Sequence, residues 1–489
     1  MPELNVGICG AGIGGLAAAI AIRKAGAKVT VLEAAPELGE IGAGIQMTPN
    51  VARLLMKWGV DKVIGDDLVE FEELNMRRKD GTLIGYTKTI PNVRNYLNGI
   101  PWWLVLTKRE RTVHRMHLHA GLAEVARREG AELVIDARVV TIDWTSSPSN
   151  KVTVTTAKNR SWTFDLLIGA DGVRSTVRRT IMPHVKPAPP TGNCAYRAIV
   201  PYDEIRRDPI AKELIEKKLT MEVWMADKSY IISYPISAGK QFNMVLSHHV
   251  DHLVDDVQDI DMEKDFRQTY KDYDPRIKRI VDMVTSAKRW PLLVTGPLES
   301  WSTKEKNIVL MGDAAHSMVN HMAQGAATSM EDGAFLARAL AKVVEDKITI
   351  AQAIEIYEKR RMPLAYYKQQ VSFINGAIWQ VPDGPIQEAR DKAMAPELKG
   401  EQFMRSPNLY GDPVTTLSKL ISARALADIN PSGSVYNYDA EEDAEIAIRA
   451  FLGGCEPYDV KTGVTDRELE RFVGWWWPKH KVPLSASKL

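Results

Sequence analysis

Residues 10–15 read Gly10-Ala-Gly12-Ile-Gly-Gly15, a G-x-G-x-x-G, and eighteen residues past Gly15 stands Glu33. Gly10 permits a tight turn, Gly12 lets backbone approach a pyrophosphate, and Gly15 lets helix and strand pack closely. An acid at the distance of Glu33 can accept hydrogen bonds from a ribose. The chemistry is capture of an adenine dinucleotide with an unphosphorylated ribose, and FAD and NAD both satisfy it. Two more stretches have the same character. Residues 165–178 run from an apolar strand into Gly169-Ala-Asp171-Gly172 and then a helix. Residues 307–316 form a second buried strand ending in Gly312-Asp313-Ala-Ala-His316, and after a loop Gln324-Gly325-Ala326 opens another helix. His316 and His321 flank that loop and could move protons. His316 belongs to the turn itself and is expected to be structural; His321 is an even choice between the two roles.

The elements that position these residues follow from pattern. Residues 4–9 are short and apolar, as a buried parallel strand is, residues 16–25 form an Ala-rich helix with Gly26 as C-cap, and residues 28–33 form the next strand. Gly42 and Gly44 flank Ala43 ahead of an amphipathic helix at 51–58. Trp102 and Trp103 are expected in the core. Residues 137–168 alternate as a small antiparallel unit. From 191 to 300 the character changes: four strands (194–200, 220–225, 230–234, 242–249) of a mostly antiparallel sheet precede a charged helix at 262–284. A long helix is expected over 350–374, and an acidic run occupies 439–445.

The chain has 489 residues, enough for two to four domains, and 63 basic against 62 acidic residues leave a net charge of +1, so no polyanionic partner such as nucleic acid is indicated. Cys9, Cys194 and Cys455 are far apart with no C-x-x-C, which points to a reducing compartment. No apolar run reaches the roughly 18 residues of a membrane span. His248-His-Val-Asp-His252 lacks the ligand spacing of a metal site, and no metal is expected. The tryptophans at 475–477 are expected to pack a C-terminal segment or a partner subunit. The chain closes on Ser487-Lys488-Leu489, which reads as an address for the peroxisomal import receptor, with a cytoplasmic location otherwise.

Taken together, the glycine motif at 10–15, the Asp171 stretch and the 312–325 stretch resemble the three FAD motifs of the single-component flavoprotein aromatic hydroxylases, typified by p-hydroxybenzoate and salicylate hydroxylases. The resemblance covers about residues 4–375; the tail matches only loosely, to fungal salicylate-hydroxylase-like members. It implies an α/β fold with an α+β insert, in which a Rossmann-like FAD-binding domain (1–180 and 301–375) is interleaved with a substrate-domain sheet (181–300), followed by a C-terminal helical extension (376–489). It places Glu33 on the adenosine ribose and Arg115, in His114-Arg-Met-His-Leu118, on the flavin nucleotide. Asp171 would serve FAD and help place the nicotinamide, and Asp313 would hold the ribityl chain. The helix from Gly325 would aim its N-terminal dipole at the flavin pyrimidine. Asn320, followed by His321, stands where the family usually has proline, which bears on substrate class.

The implied reaction reduces FAD with NADH or NADPH, adds O₂ at flavin C4a to give a hydroperoxide, and transfers its distal oxygen to an electron-rich aromatic carbon. No second dinucleotide fingerprint exists, so the nicotinamide must bind transiently in a groove. Along residues 229–235 alternation puts Tyr230, Ile232 and Tyr234 on one face, expected to line the substrate cavity with Tyr234 favoured. Arg197 is a candidate for orienting substrate or flavin. The expected function is hydroxylation of a phenol or aryl carboxylate. Oxidation of an indole or polyketide, and a flavin-fold binding protein without turnover, are the alternatives. A homodimer is a family-based expectation.

Overall fold

The computed structural model describes residues 3–39, 44–97, 99–106, 117–146, 149–186, 190–216, 218–250, 252–394 and 435–454. Arg115, the 475–477 tryptophans and the terminal Ser487-Lys488-Leu489 lie outside them.

A five-stranded parallel sheet runs in the order Ile308–Leu310, Leu166–Gly169, Asn5–Cys9, Lys28–Leu32, Glu132–Val134. Its three central strands are almost wholly buried, as a parallel sheet requires; helix Ile13–Lys24 packs on them, and so does Phe164, whose ring lies against Gly7. The helices Ile13–Lys24 and Gly325–Val344 cross so closely that a methyl group on Gly333 would sit 2.8 Å from the Ala18 Cα. The expected antiparallel unit is present as Val139–Asp143, Val152–Thr156 and Ser161–Phe164.

The second sheet is larger than the pattern suggested. It has eight strands, in the order Gln258–Asp259, Lys288–Pro291, Asn193–Pro201, Gln241–His249, Ser229–Ile236, Thr220–Ala226, Glu73–Arg78 and Leu83–Lys88. The last two come from the N-terminal third and join through a parallel pairing of Glu73–Arg78 with Thr220–Ala226. The single charged helix expected over 262–284 is broken. A wide turn at Met262–Arg267 and a short helix Gln268–Tyr270 precede Pro275–Met283. Pro275 cannot continue a helix but starts one well, and the Asp274 carboxylate accepts from the Arg276 N–H to cap it.

The long helix runs Ile350–Trp379, five residues further than expected, and starts with a reciprocal cap between Thr349 and Gln352. Helix Pro385–Met394 follows. Residues 435–454 return to the body of the protein, where helix Ala440–Leu452 is capped by Asp439 and carries Glu441, Glu442 and Asp443 in its first turn. The acidic run of the sequence is therefore a helix start, stabilised by the positive end of the helix dipole. Among the described residues no helix is long and apolar enough to cross a membrane.

Candidate active site

The glycine turn is built as its spacing implies. Gly10 has φ 101°, a conformation that side chains disfavour, and a methyl on it would meet the Ala170 carbonyl oxygen at 2.5 Å. A methyl on Gly15 would lie 2.0 Å from the Gly10 carbonyl oxygen, so strand end and helix start touch. Gly12 is the opposite case, with no atom within 4 Å of where its methyl would stand. It faces a hollow at a helix N-terminus, a cradle that a side chain would fill and a phosphate fits. Glu33 accepts hydrogen bonds from the Ala11 N–H (2.7 Å) and the Ala35 N–H (2.8 Å), which leaves its carboxylate further acceptor capacity. His119, not singled out in the sequence, donates from Nε2 to the Ala11 carbonyl at 2.7 Å and holds the same turn from the other side.

Asp171 caps the helix Thr176–Ile181, accepting from Ser175 Oγ (2.5 Å) and from the N–H groups of Thr176 (2.6 Å) and Val177 (3.1 Å). It thereby fixes the turn at 169–172 that lies against Gly10. Arg178 donates to the carbonyls of Val173 and Ala314, both at 2.6 Å, and so ties the second motif to the third.

In the third motif Asp313 points into open space yet lies deep among protein atoms. Desolvation raises its carboxyl above the ordinary carboxylate range, with His316 pulling the other way. His316 is structural, as expected: its Nε2 lies 2.6 Å from Asp332 Oδ2, which also accepts from the Gly312 N–H at 3.0 Å. Burial works against the Asp332 carboxylate, but His316 and Arg361 hold it charged below its usual range. From there a buried network runs through Arg361 to Glu331 and on to Lys368, whose Nζ is 2.7 Å from Glu331 Oε2 and 3.1 Å from Gln324 Oε1. Gln324 also donates from Nε2 to Thr48 Oγ1 at 3.1 Å. Its side chain thus ties Thr48, which joins the strand Gly44–Met47 to the helix Pro49–Trp58, to the helix that begins at Gly325 and Ala326, whose first N–H groups have no partner within the helix. The Gly12 hollow, the open Asp313 and this helix start together fit FAD.

Beside the third motif a cavity of about 100 Å³ lies between the eight-stranded sheet, the strand Gly44–Met47 and the loop 320–323. Tyr230, Ile232 and Tyr234 all line it, as the alternation along their strand predicts, and so do Arg197 and His321. The best-connected tyrosine is not Tyr234 but Tyr230, whose hydroxyl is 2.8 Å from His321 Nδ1 and 3.4 Å from Asn320 Oδ1. Burial pushes the phenols of both Tyr230 and Tyr234 upward, and Arg197 partly offsets this at Tyr234. Arg197 is exposed at the cavity mouth and makes no ion pair among the described residues. His321 is 2% exposed, and burial lowers its pKa to about 3, so the ring is neutral and its Nδ1 can accept the Tyr230 proton in a hydrogen bond. Trp102 is buried as expected, yet it is also a cavity wall, with Trp379 and Tyr436 from segments that carry no motif.

His248, on the neighbouring strand, is likewise lowered to about 3 by burial. A histidine near 6.5 when unfolded and near 3 when folded binds its proton first in the unfolded chain. The stability that His248 and His321 contribute as neutral groups is therefore complete above pH 6.5 and is lost as pH falls towards 3. Urea titrations from pH 7 to pH 4 should show stability falling, and His248→Gln with His321→Gln should flatten the fall. An equal slope in that double variant would place the acid sensitivity elsewhere.

A family model described as an FAD binding domain matches residues 3–371. The FAD-dependent monooxygenase OpS4 of Beauveria bassiana is 31% identical over 434 residues, covering 83% of this chain and 95% of that protein. The 3-hydroxybenzoate 6-hydroxylase of Klebsiella oxytoca is 33% identical over 362 residues, covering 73% and 84% respectively. Among solved structures, a salicylate hydroxylase substrate complex superposes with a TM-score of 0.66 at 19% identity over 91% of this chain and 98% of that one, a likeness of fold.

Proposed function

Because the chain belongs to the FAD-binding-domain family of flavoprotein monooxygenases, we propose that it hydroxylates a phenolic or aryl-carboxylate ring with NADH or NADPH and O₂ as co-substrates. The observation that carries this reading is the convergence of Tyr230, His321, Asn320 and Arg197 on one mostly apolar cavity beside the third motif. When bound, FAD supplies the redox and oxygen-activating chemistry. Gly12, the helix start at Gly325 and Asp313 would hold it, with Glu33 at the ribose.

The protein's own part is positioning and polarisation. Arg197, which has no carboxylate partner among the described residues, sits where it can take one from substrate at the mouth. A neutral His321 with a pKa near 3 is too weak a base to remove a proton at neutral pH. Its task is to accept the Tyr230 hydroxyl hydrogen, which turns the phenolic oxygen's lone pairs towards a substrate hydroxyl. That hydrogen bond pushes electron density into the ring to be attacked. The sheet above excludes water from the reacting centre.

The purified protein should be yellow and should oxidise NADH or NADPH faster when the right phenol or aryl acid is added, with ¹⁸O from ¹⁸O₂ entering the product. Acceleration that yields only peroxide, or no response across phenols and aryl acids, would overturn the substrate class. Asp313→Ala should lose most bound FAD, read from the absorbance ratio after gel filtration; full occupancy would remove Asp313 from the cofactor site. We also propose Ser487-Lys488-Leu489 as a peroxisomal address. A fluorescent reporter ending in these residues should enter peroxisomes and lose that location when they are deleted. A homodimer is proposed as well, and sedimentation tests it.

A further inference from the structure

The wall of the cavity farthest along the chain comes from Tyr436, which lies beyond the 3–371 stretch matched by the family model. Tyr436 is 1% exposed, its ring centroid stands 5.0 Å from that of Trp102, and its hydroxyl donates to the Met322 carbonyl at 3.3 Å. Met322 adjoins His321 on the same loop, so Tyr436 touches both a cavity wall and the segment carrying the Tyr230 partner. Its place is fixed by a strong set of bonds. Arg53 donates to Asn437 Oδ1 at 2.6 Å and to Asp439 Oδ2 at 3.0 Å. Tyr438 donates to Asp443 Oδ2 at 2.8 Å, and Arg360 pairs with the same buried carboxylate. Lys57 pairs with Glu441 at 2.5 Å.

We propose that Tyr436 is a specificity-determining residue: this returning segment closes the cavity down to one aromatic ring, and Tyr436 excludes a second fused ring. An apolar protein cavity of ~150 Å³ accepts benzene; the walled space here, about 100 Å³, is smaller than that and open at its mouth, so it takes one ring with its substituents towards the mouth and has no room within its walls for a second fused ring. Removing the Tyr436 side chain opens the cavity towards Trp102, a flat face on which a second ring can lie. The anchor at 437–443 stays in place without the phenol, so the segment itself need not detach.

The inference rests on the hydroxylase reading, and the test keeps the two apart. Calorimetry on the FAD-loaded protein would compare the Kd of 3-hydroxybenzoate with that of 1-hydroxy-2-naphthoate for wild type, Tyr436→Phe and Tyr436→Ala. The same pairs would be assayed for product. Tyr436→Ala should shift the affinity ratio towards the naphthoate by at least tenfold, with flavin content unchanged, while Tyr436→Phe keeps the wild-type ratio. An unchanged ratio in Tyr436→Ala overturns the proposal, and so does a wild type that prefers the naphthoate. A wild type that binds the single ring without converting any phenol overturns the hydroxylase reading, while the Kd ratio still decides the role of Tyr436. Binding of neither ring overturns both.

Discussion

Replacing Arg361 by methionine is expected to cost roughly 3–5 kcal/mol of stability and to strip the protein of flavin. Arg361 is fully buried and lies 2.9 Å from Asp332 Oδ1 and 2.9 Å from Glu331 Oε2, two carboxylates that are also fully buried. Burial opposes the charge on its guanidinium, but the Asp332 and Glu331 carboxylates outweigh that, and the guanidinium also lies 5.3 Å from the centre of the Tyr438 ring. With Lys368 the four groups balance, two negative and two positive. Removing one cation leaves an uncompensated buried charge, which is far more costly than an apolar replacement of the whole set. The damage reaches the cofactor because Asp332 also accepts from the Gly312 N–H and shapes the turn that presents Asp313. Urea unfolding and flavin per chain are the measurements. A midpoint equal to that of wild type would mean that the network contributes nothing net.

The second large effect is on turnover. Tyr230→Phe is expected to lower kcat by about a hundredfold with flavin content intact, because it removes the oxygen that takes the substrate's hydrogen bond. His321→Ala should lose less, since Tyr230 remains, and adding it to Tyr230→Phe should cost little more: the two act as one unit. With His321 near 3, the rate should show no ionisation near pH 6.5 from this ring. A rate limb near that pH that vanishes in His321→Ala would restore His321 as an acid–base group.

The motif turns were legible because each is local: a glycine that must turn, a helix start that must face an anion. Alternation along residues 229–236 was equally legible and placed Tyr230 and Tyr234 on the cavity face, but it could not rank them, because the ranking depends on a loop some ninety residues away. The break at Pro275 and the helix start at Asp439 carried visible capping signals that charge content obscured. Trp102 and Tyr436 were beyond pattern. A buried aromatic in the core and one lining a cavity look the same until distant segments are brought together.

The order of strands in the parallel sheet has a consequence for synthesis. Leu166–Gly169 is paired on one side by Asn5–Cys9, yet its other edge is covered only by Ile308–Leu310. At roughly 5–20 residues per second that edge stands open for on the order of ten seconds on the ribosome. During that time the chain exposes an apolar strand edge of the kind that seeks a stranger's backbone. The flavin cannot shorten the wait, because the third of its motifs follows that same late strand. Productive folding of this protein is therefore expected to depend on chaperone cover until its last core strand emerges.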